Sequence, residues 1–169
     1  MITKASLEDV SFLNTLINSA YRGESSKKGW TTEAHILEGK RTTEEELTAI
    51  IKDEKSTILK YSDKDMIIGC VLLKENENEL YLGMLSVSPA LQNSGIGKKL
   101  MQQAEVFASE VGLSKIVMTV ISVRDELISW YNRNGFVDTG LREPFPVSNV
   151  FSQTTSEPLE FMVLEKRIL

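Results

Sequence analysis

The hexapeptide Gln92-Asn93-Ser94-Gly95-Ile96-Gly97 lies between a strand-like run ending at Pro89 and a helix-like run from Gly95 to Val111. Backbone N–H groups at a helix start are unpaired and carry partial positive charge, so they suit a phosphate or pyrophosphate. Gly95 and Gly97 remove side chains where a ligand must approach the backbone. Lys98 and Lys99 set cations against the helix dipole, a small penalty that a bound anion would relieve. Taken alone, the hexapeptide is also an ordinary turn into a helix. It matches neither the Gly-x-x-x-x-Gly-Lys-Ser/Thr phosphate loop nor the Gly-x-Gly-x-x-Gly dinucleotide turn. A second cluster, Trp130-Tyr131-Asn132-Arg133-Asn134-Gly135-Phe136, ends a helix and turns into a strand. Alone it is an aromatic helix end with a glycine stop.

In this order, with a strand between them, the two motifs resemble the GNAT superfamily of N-acetyltransferases. The family's cofactor motif, Gln/Arg-x-x-Gly-x-Gly/Ala, is similar to Gln92 to Gly97. Its later motif, Tyr-x-x-x-Gly-Phe, is similar to Tyr131 to Phe136. Leu85-Ser86-Val87-Ser88-Pro89 also looks like the family's strand leading into the turn, and the close match covers roughly residues 80 to 139. The resemblance implies acetyl-CoA wedged into a splayed sheet, with Leu85 and Val87 along its pantetheine. Gln92, Asn93, Ser94, Gly95, Ile96, Gly97 and Lys98 would surround its pyrophosphate. One departure stands out. Where the family often has Asn, seven residues before the tyrosine, this chain has Arg124. Arg124 could reach a CoA phosphate or an acidic substrate group, or pair with Glu126 or another carboxylate.

Acyl transfer from a thioester to an amine needs a neutral amine, yet a lysine-like amine has a pKa of about 10.4. It also needs a donor for the developing oxyanion, a proton for the departing thiolate, and two reactants held together. Tyr131 is the candidate acid, since a phenol with a pKa of about 10 stays protonated at neutral pH. The backbone N–H of Leu85 is the candidate oxyanion donor. Glu79, Tyr81 and Glu33 are candidate bases, and Glu33 is preferred because an aromatic beside a carboxylate, here Trp30, suits a cationic amine. Trp30, Thr31, Glu33, His35 and Tyr81 are the expected substrate-binding residues. The expected function is transfer of an acetyl group from acetyl-CoA to a primary amine of a small molecule. The alternatives are a protein Nα- or lysine acetyltransferase and a non-catalytic acyl-CoA sensor. The long loop from Gly23 to Arg41 favours a small acceptor, and Tyr131 favours catalysis.

The elements that must position these residues follow from periodicity. Ile2 to Lys4 is a short strand. Ser6 with Asp9 caps a helix carrying Val10, Leu13, Leu16 and Ile17 at helical spacing. Thr43 with Glu46 caps a second through Ile51. Ser56 to Tyr61, Met66 to Leu73 and Leu80 to Val87 are strands of an antiparallel meander. The long helix burying Ile96, Leu100, Ala104 and Phe107 leads to a parallel strand, Ile116 to Ile121. A helix over Asp125 to Arg133 and strands at Phe136-Val137 and Leu159 to Glu165 complete an α+β fold. It is expected to be one domain over residues 1–169 with a mixed, splayed sheet flanked by helices. Arg142 to Pro158 reads as irregular, either a homodimer contact or a pocket wall.

Composition narrows the classes. The 169 residues carry a net charge of −5, which argues against nucleic acid as a partner. No apolar run is long enough to span a bilayer. The lone histidine, His35, and the lone cysteine, Cys70, leave no basis for a metal centre or an intrachain disulfide. Cys70 lies in an apolar run and reads as a core residue. A reducing, cytoplasmic compartment is expected.

Overall fold

The structure, a computed structural model, describes residues 1–22, 26–27, 29–146, 151–153 and 158–168. The order of elements is β1 (Ile2–Lys4), α1 (Val10–Tyr21), β2 (Leu37–Gly39), α2 (Glu44–Lys52), β3 (Ser56–Asp63), β4 (Met66–Glu75), β5 (Leu80–Val87), α3 (Ile96–Glu110), β6 (Lys115–Ile121), α4 (Asp125–Arg133), β7 (Val137–Pro144), β8 (Phe151–Gln153) and β9 (Glu160–Arg167). Seven strands form one mixed sheet in the order β1-β3-β4-β5-β6-β9-β7. Among the described residues no helix is long and apolar enough to cross a membrane.

β4 shows why the sheet is covered on both faces. Val71 and Leu73 pack with Leu100, Ala104 and Phe107 of α3. Cys70 and Leu72 point the other way, into a cluster with Leu13, Leu16 and Ile17 of α1 and Leu47 of α2. A period of two on a strand thus feeds two cores, and a period near 3.6 on each helix closes one of them. Both capping signals are used: the Ser6 amide donates to Asp9 at 2.8 Å, and Thr43 Oγ1 accepts from the Glu46 amide at 3.1 Å. Cys70 is fully buried, and burial pushes its thiol up to about 12.

The structure differs from expectation at the irregular segments. β7 does not stop at Val137 but runs to Pro144, paired antiparallel with β9. β2, expected inside a loop, pairs with β8, expected inside the irregular stretch. Neither three-residue strand has a periodic signature of its own; each exists because the other supplies its hydrogen bonds. The expected loop from Gly23 to Arg41 and the segment Arg142 to Pro158 fall partly outside the described residues. The homodimer contact expected there is therefore not addressed by the described residues.

Candidate active site

β5 and β6 are parallel neighbours only at Leu80↔Ile116 and Tyr81↔Val117. Beyond that point β6 keeps its pairing with β9, and β5 keeps its pairing with β4. The sheet therefore opens into a wedge between two strands that both continue. β5 also bulges here. Gly83 faces Leu72 and Ser86 faces Cys70, so Met84 and Leu85 together oppose the single residue Val71. Met84 sits at φ 51, in the left-handed region. A non-glycine residue held there is strained, and such strain is held in place by the surrounding structure. One support is visible: the buried Tyr21 hydroxyl donates to the Leu85 carbonyl. Burial raises the Tyr21 pKa to about 12, against the opposing pull of Arg41, so the phenol remains a donor.

Two cavities meet at this point. The smaller, about 280 Å³, is lined by Val87, Gln92, Asn93, Gly95, Ile96, Gly97 and Lys98, with Trp30, Thr31 and Trp130 as further walls. The larger, about 580 Å³, is lined by Arg22, Glu33, Arg41, Glu79, Tyr81 and Arg124 among others. Tyr21, Leu85, Leu127 and Tyr131 line both. Tyr131 is buried at this junction, and its ring meets Trp130 and Phe136 edge-on at 5.1 and 5.8 Å. Its hydroxyl has no hydrogen-bond partner among the described residues. Burial chiefly, with Tyr21 and Tyr81 adding, raises its pKa well above the ordinary phenol range, so it stays protonated.

The floor of the smaller cavity is the start of α3. Gly95 is its N-cap at φ 86, and no side chain caps it. The first turn holds no acid. A Cβ at Gly95 would meet nothing within 4 Å. Positive φ and an open cradle over uncapped N–H groups fit an anion approaching the backbone. Gln92 lies beside this turn but its amide is fully engaged. Its Oε1 accepts from the Trp30 and Thr31 amides at 2.7 and 3.1 Å. Its Nε2 donates to Thr31 Oγ1 at 2.7 Å and to the Val87 carbonyl at 3.1 Å. Gly29 permits this contact, because a Cβ there would come within 2.2 Å of Gln92 Oε1.

The larger cavity contains a buried ion triad. Arg22 Nη2 lies 3.0 Å from Glu33 Oε1, and Arg124 Nη1 lies 3.2 Å from Glu33 Oε2. Arg124 Nη2 also donates to the Thr31 and Thr32 carbonyls at 2.6 and 3.2 Å. Buried charges of this kind are tolerated only when paired and hydrogen-bonded.

The acetyltransferase (GNAT) family model matches residues 14–136, which contain the wedge, the α3 turn and Tyr131. The chain belongs to the GNAT family. Over 70 residues it is 34% identical to a probable N-acetyltransferase, camello, from Xenopus laevis. That match covers 41% of the chain and 32% of the Xenopus protein, so it spans about a third of that relative's length. The fold is similar to Ard1 of Thermoplasma volcanium, with a TM-score of 0.75 at 15% identity, covering 100% of this chain and 97% of that one. It is also similar to the PaiA N-acetyltransferase of Thermoplasma acidophilum, solved in complex with coenzyme A. There the TM-score is 0.70 at 21% identity, covering 99% and 98%. These likenesses are of fold.

Within this GNAT chain the structure distributes the expected residues unevenly. Leu85, Val87, Gln92, Asn93, Gly95, Ile96, Gly97, Lys98 and Tyr131 come together around the smaller cavity. Ser94 is exposed and turned aside, its hydroxyl donating to the Leu91 carbonyl. Arg124, expected near the cofactor, lines the larger cavity and pairs with Glu33. Of the expected substrate residues, Glu33 and Tyr81 line the larger cavity, whereas Trp30 and Thr31 line the smaller one. His35 is exposed and lines neither. Glu33, expected as a base, has both carboxylate oxygens held by guanidiniums. Sequence reasoning missed Tyr21, Arg22 and Arg41. Tyr21 ends the apolar stripe of α1, and the two arginines bracket the long loop, but neither fact hints at a shared cavity.

Proposed function

We propose that this protein transfers the acetyl group of acetyl-CoA to a primary amine of a small molecule, directly, with both reactants bound. The observation that carries the proposal is the meeting of two cavities at the buried residue Tyr131, whose hydroxyl is protonated and unpartnered among the described residues. Acetyl-CoA would supply an activated acyl group and a thiol leaving group.

The N–H groups around Gly95 to Lys98 would hold the pyrophosphate, helped by the Lys98 charge. Leu85 shares Val71 with Met84 in the bulge and faces no residue of β6, and its N–H is our candidate donor to the acyl oxygen. Tyr21 holds the peptide that follows, through the Leu85 carbonyl. Tyr131 would donate a proton to the sulfur. Proton uptake by Glu33 would break up its ion pairs, so we assign Glu33 to holding the loop. Glu79, half-buried in the larger cavity's lining just before β5, is our candidate base, acting through water. Trp30 and Trp130, with ring centroids 5.9 Å apart, would flank the cofactor rather than the amine.

The test is thiol release from acetyl-CoA over a panel of amines, amino acids and peptides, with CoA affinity measured by calorimetry. Turnover confined to small amines supports the proposal. Turnover confined to peptides would move the assignment to protein substrates. CoA binding without turnover would favour a sensor.

A further inference from the structure

The charges lining the larger cavity are not evenly mixed. Arg22, Arg41 and Arg124 supply three cations, and Glu33, Glu79 and Glu143 three carboxylates. Two of the cations, Arg22 and Arg124, share the single carboxylate of Glu33. Both have side chains only 5% exposed, in a poorly hydrated place. Arg41 is the third cation. Its guanidinium lies 5.9 Å over the Tyr21 ring and has no hydrogen bond or ion pair among the described residues. Glu79 and Glu143 lie elsewhere, just before β5 and on β7, and neither pairs with these arginines among the described residues. The cavity thus has a cationic side and separate carboxylates.

The cationic side also has a defined place. Tyr21 links Arg41 to the Leu85 carbonyl, because it carries Arg41 on its face and donates to Leu85 with its hydroxyl. A guanidinium with free donors is a fork for a carboxylate or phosphate. An acceptor held there would keep its acid group a short spacer from the acyl-transfer point.

We infer that the acceptor is a short amine that also carries an acid group, an amino acid or a short ω-amino acid, with Arg41 as the residue that binds its carboxylate. The inference rests on the acetyl-transfer reading and adds the substrate class to it. The amine would lie toward Glu79, and the carboxylate would meet the free donors of Arg41. A polyamine or a lysine side chain would instead bring a cation to a wall whose nearest carboxylate, Glu33, is already shared by two arginines.

The test uses matched pairs: each proteinogenic amino acid, β-alanine and γ-aminobutyrate, each beside its own carboxamide. Thiol release is followed with acetyl-CoA on the full chain, and CoA binding is measured separately. At least one acid is expected to exceed its amide by about tenfold or more in kcat/KM, the scale of one charge-assisted pair. Arg41→Gln should collapse that ratio mainly through KM, and Arg41→Lys should restore part of it. Amides handled as well as acids in every pair would overturn the inference while leaving acetyl transfer intact. So would a ratio that survives Arg41→Gln. If CoA binds but no pair is acetylated, turnover on another amine or a peptide would overturn the inference, and no turnover on any of them would sink the acetyl-transfer reading. The acid-over-amide ratio, then measured by calorimetry on the CoA-saturated protein, still decides the role of Arg41.

Discussion

Tyr131→Phe separates chemistry from architecture. The phenol ring holds its place through edge-on contacts with Trp130 and Phe136, and phenylalanine keeps both. The hydroxyl makes no hydrogen bond among the described residues, so its removal breaks none of theirs. Stability should change by no more than about 0.5 kcal/mol, which for a domain of this size is about 2 °C in Tm. The rate should change much more. General acid catalysis contributes about 10²- to 10⁴-fold. Burial raises the Tyr131 pKa, which guarantees the protonated form but also makes the phenol a weaker acid. That favours the lower end, about a hundredfold in kcat, or about 2.7 kcal/mol of barrier. The assay is thiol release read with dithionitrobenzoate, beside a thermal melt. A kcat within about threefold of the parent, with an unchanged melt, would remove Tyr131 from the mechanism. The pH profile adds a check with a definite sign. A raised pKa means the donor is lost only on the far alkaline side, so Tyr131 should produce no falling limb in kcat below about pH 10.

Glu33→Ala leaves the guanidiniums of Arg22 and Arg124 buried without their carboxylate. It should cost about 3 kcal/mol, or about 6–12 °C in Tm, measured by thermal or denaturant unfolding; a loss below about 1 kcal/mol would mean that water already serves these charges. Gln92→Ala removes four hydrogen bonds that join the Trp30 loop to the end of β5. It should weaken CoA binding by about tenfold while melting within a few degrees of the parent, and unchanged CoA affinity in calorimetry would show that the loop does not shape that cavity. Cys70 is buried with its thiol pushed up to about 12. It should not react with dithionitrobenzoate until the protein unfolds, and rapid native-state labelling would contradict its place between the sheet and α1.

The sequence by itself determined the regular elements and most of the residues that the smaller cavity brings together. α4 falls at Asp125–Arg133 as periodicity predicts, and α3 and the β3-β4-β5 meander come within a residue or two. These elements are legible because their signals are local: an apolar stripe, a capping pair, a glycine stop. The turn from Gln92 to Gly97 is legible for the same reason, since strand, turn and helix start lie within a dozen residues. The tertiary structure alone decided the rest. The wedge exists because β5 bulges at Met84 and parts from β6, and nothing in Leu80 to Val87 announces a left-handed methionine. Glu33 beside Trp30 reads as a base beside an aromatic. Its partners are Arg22 and Arg124, the latter 91 residues away, and they turn it into the centre of an ion triad. Trp30 joins the smaller cavity because Gln92, 62 residues on, holds its amide. Local propensity fixes the elements, but the charge that a side chain faces depends on which distant elements the fold sets beside it.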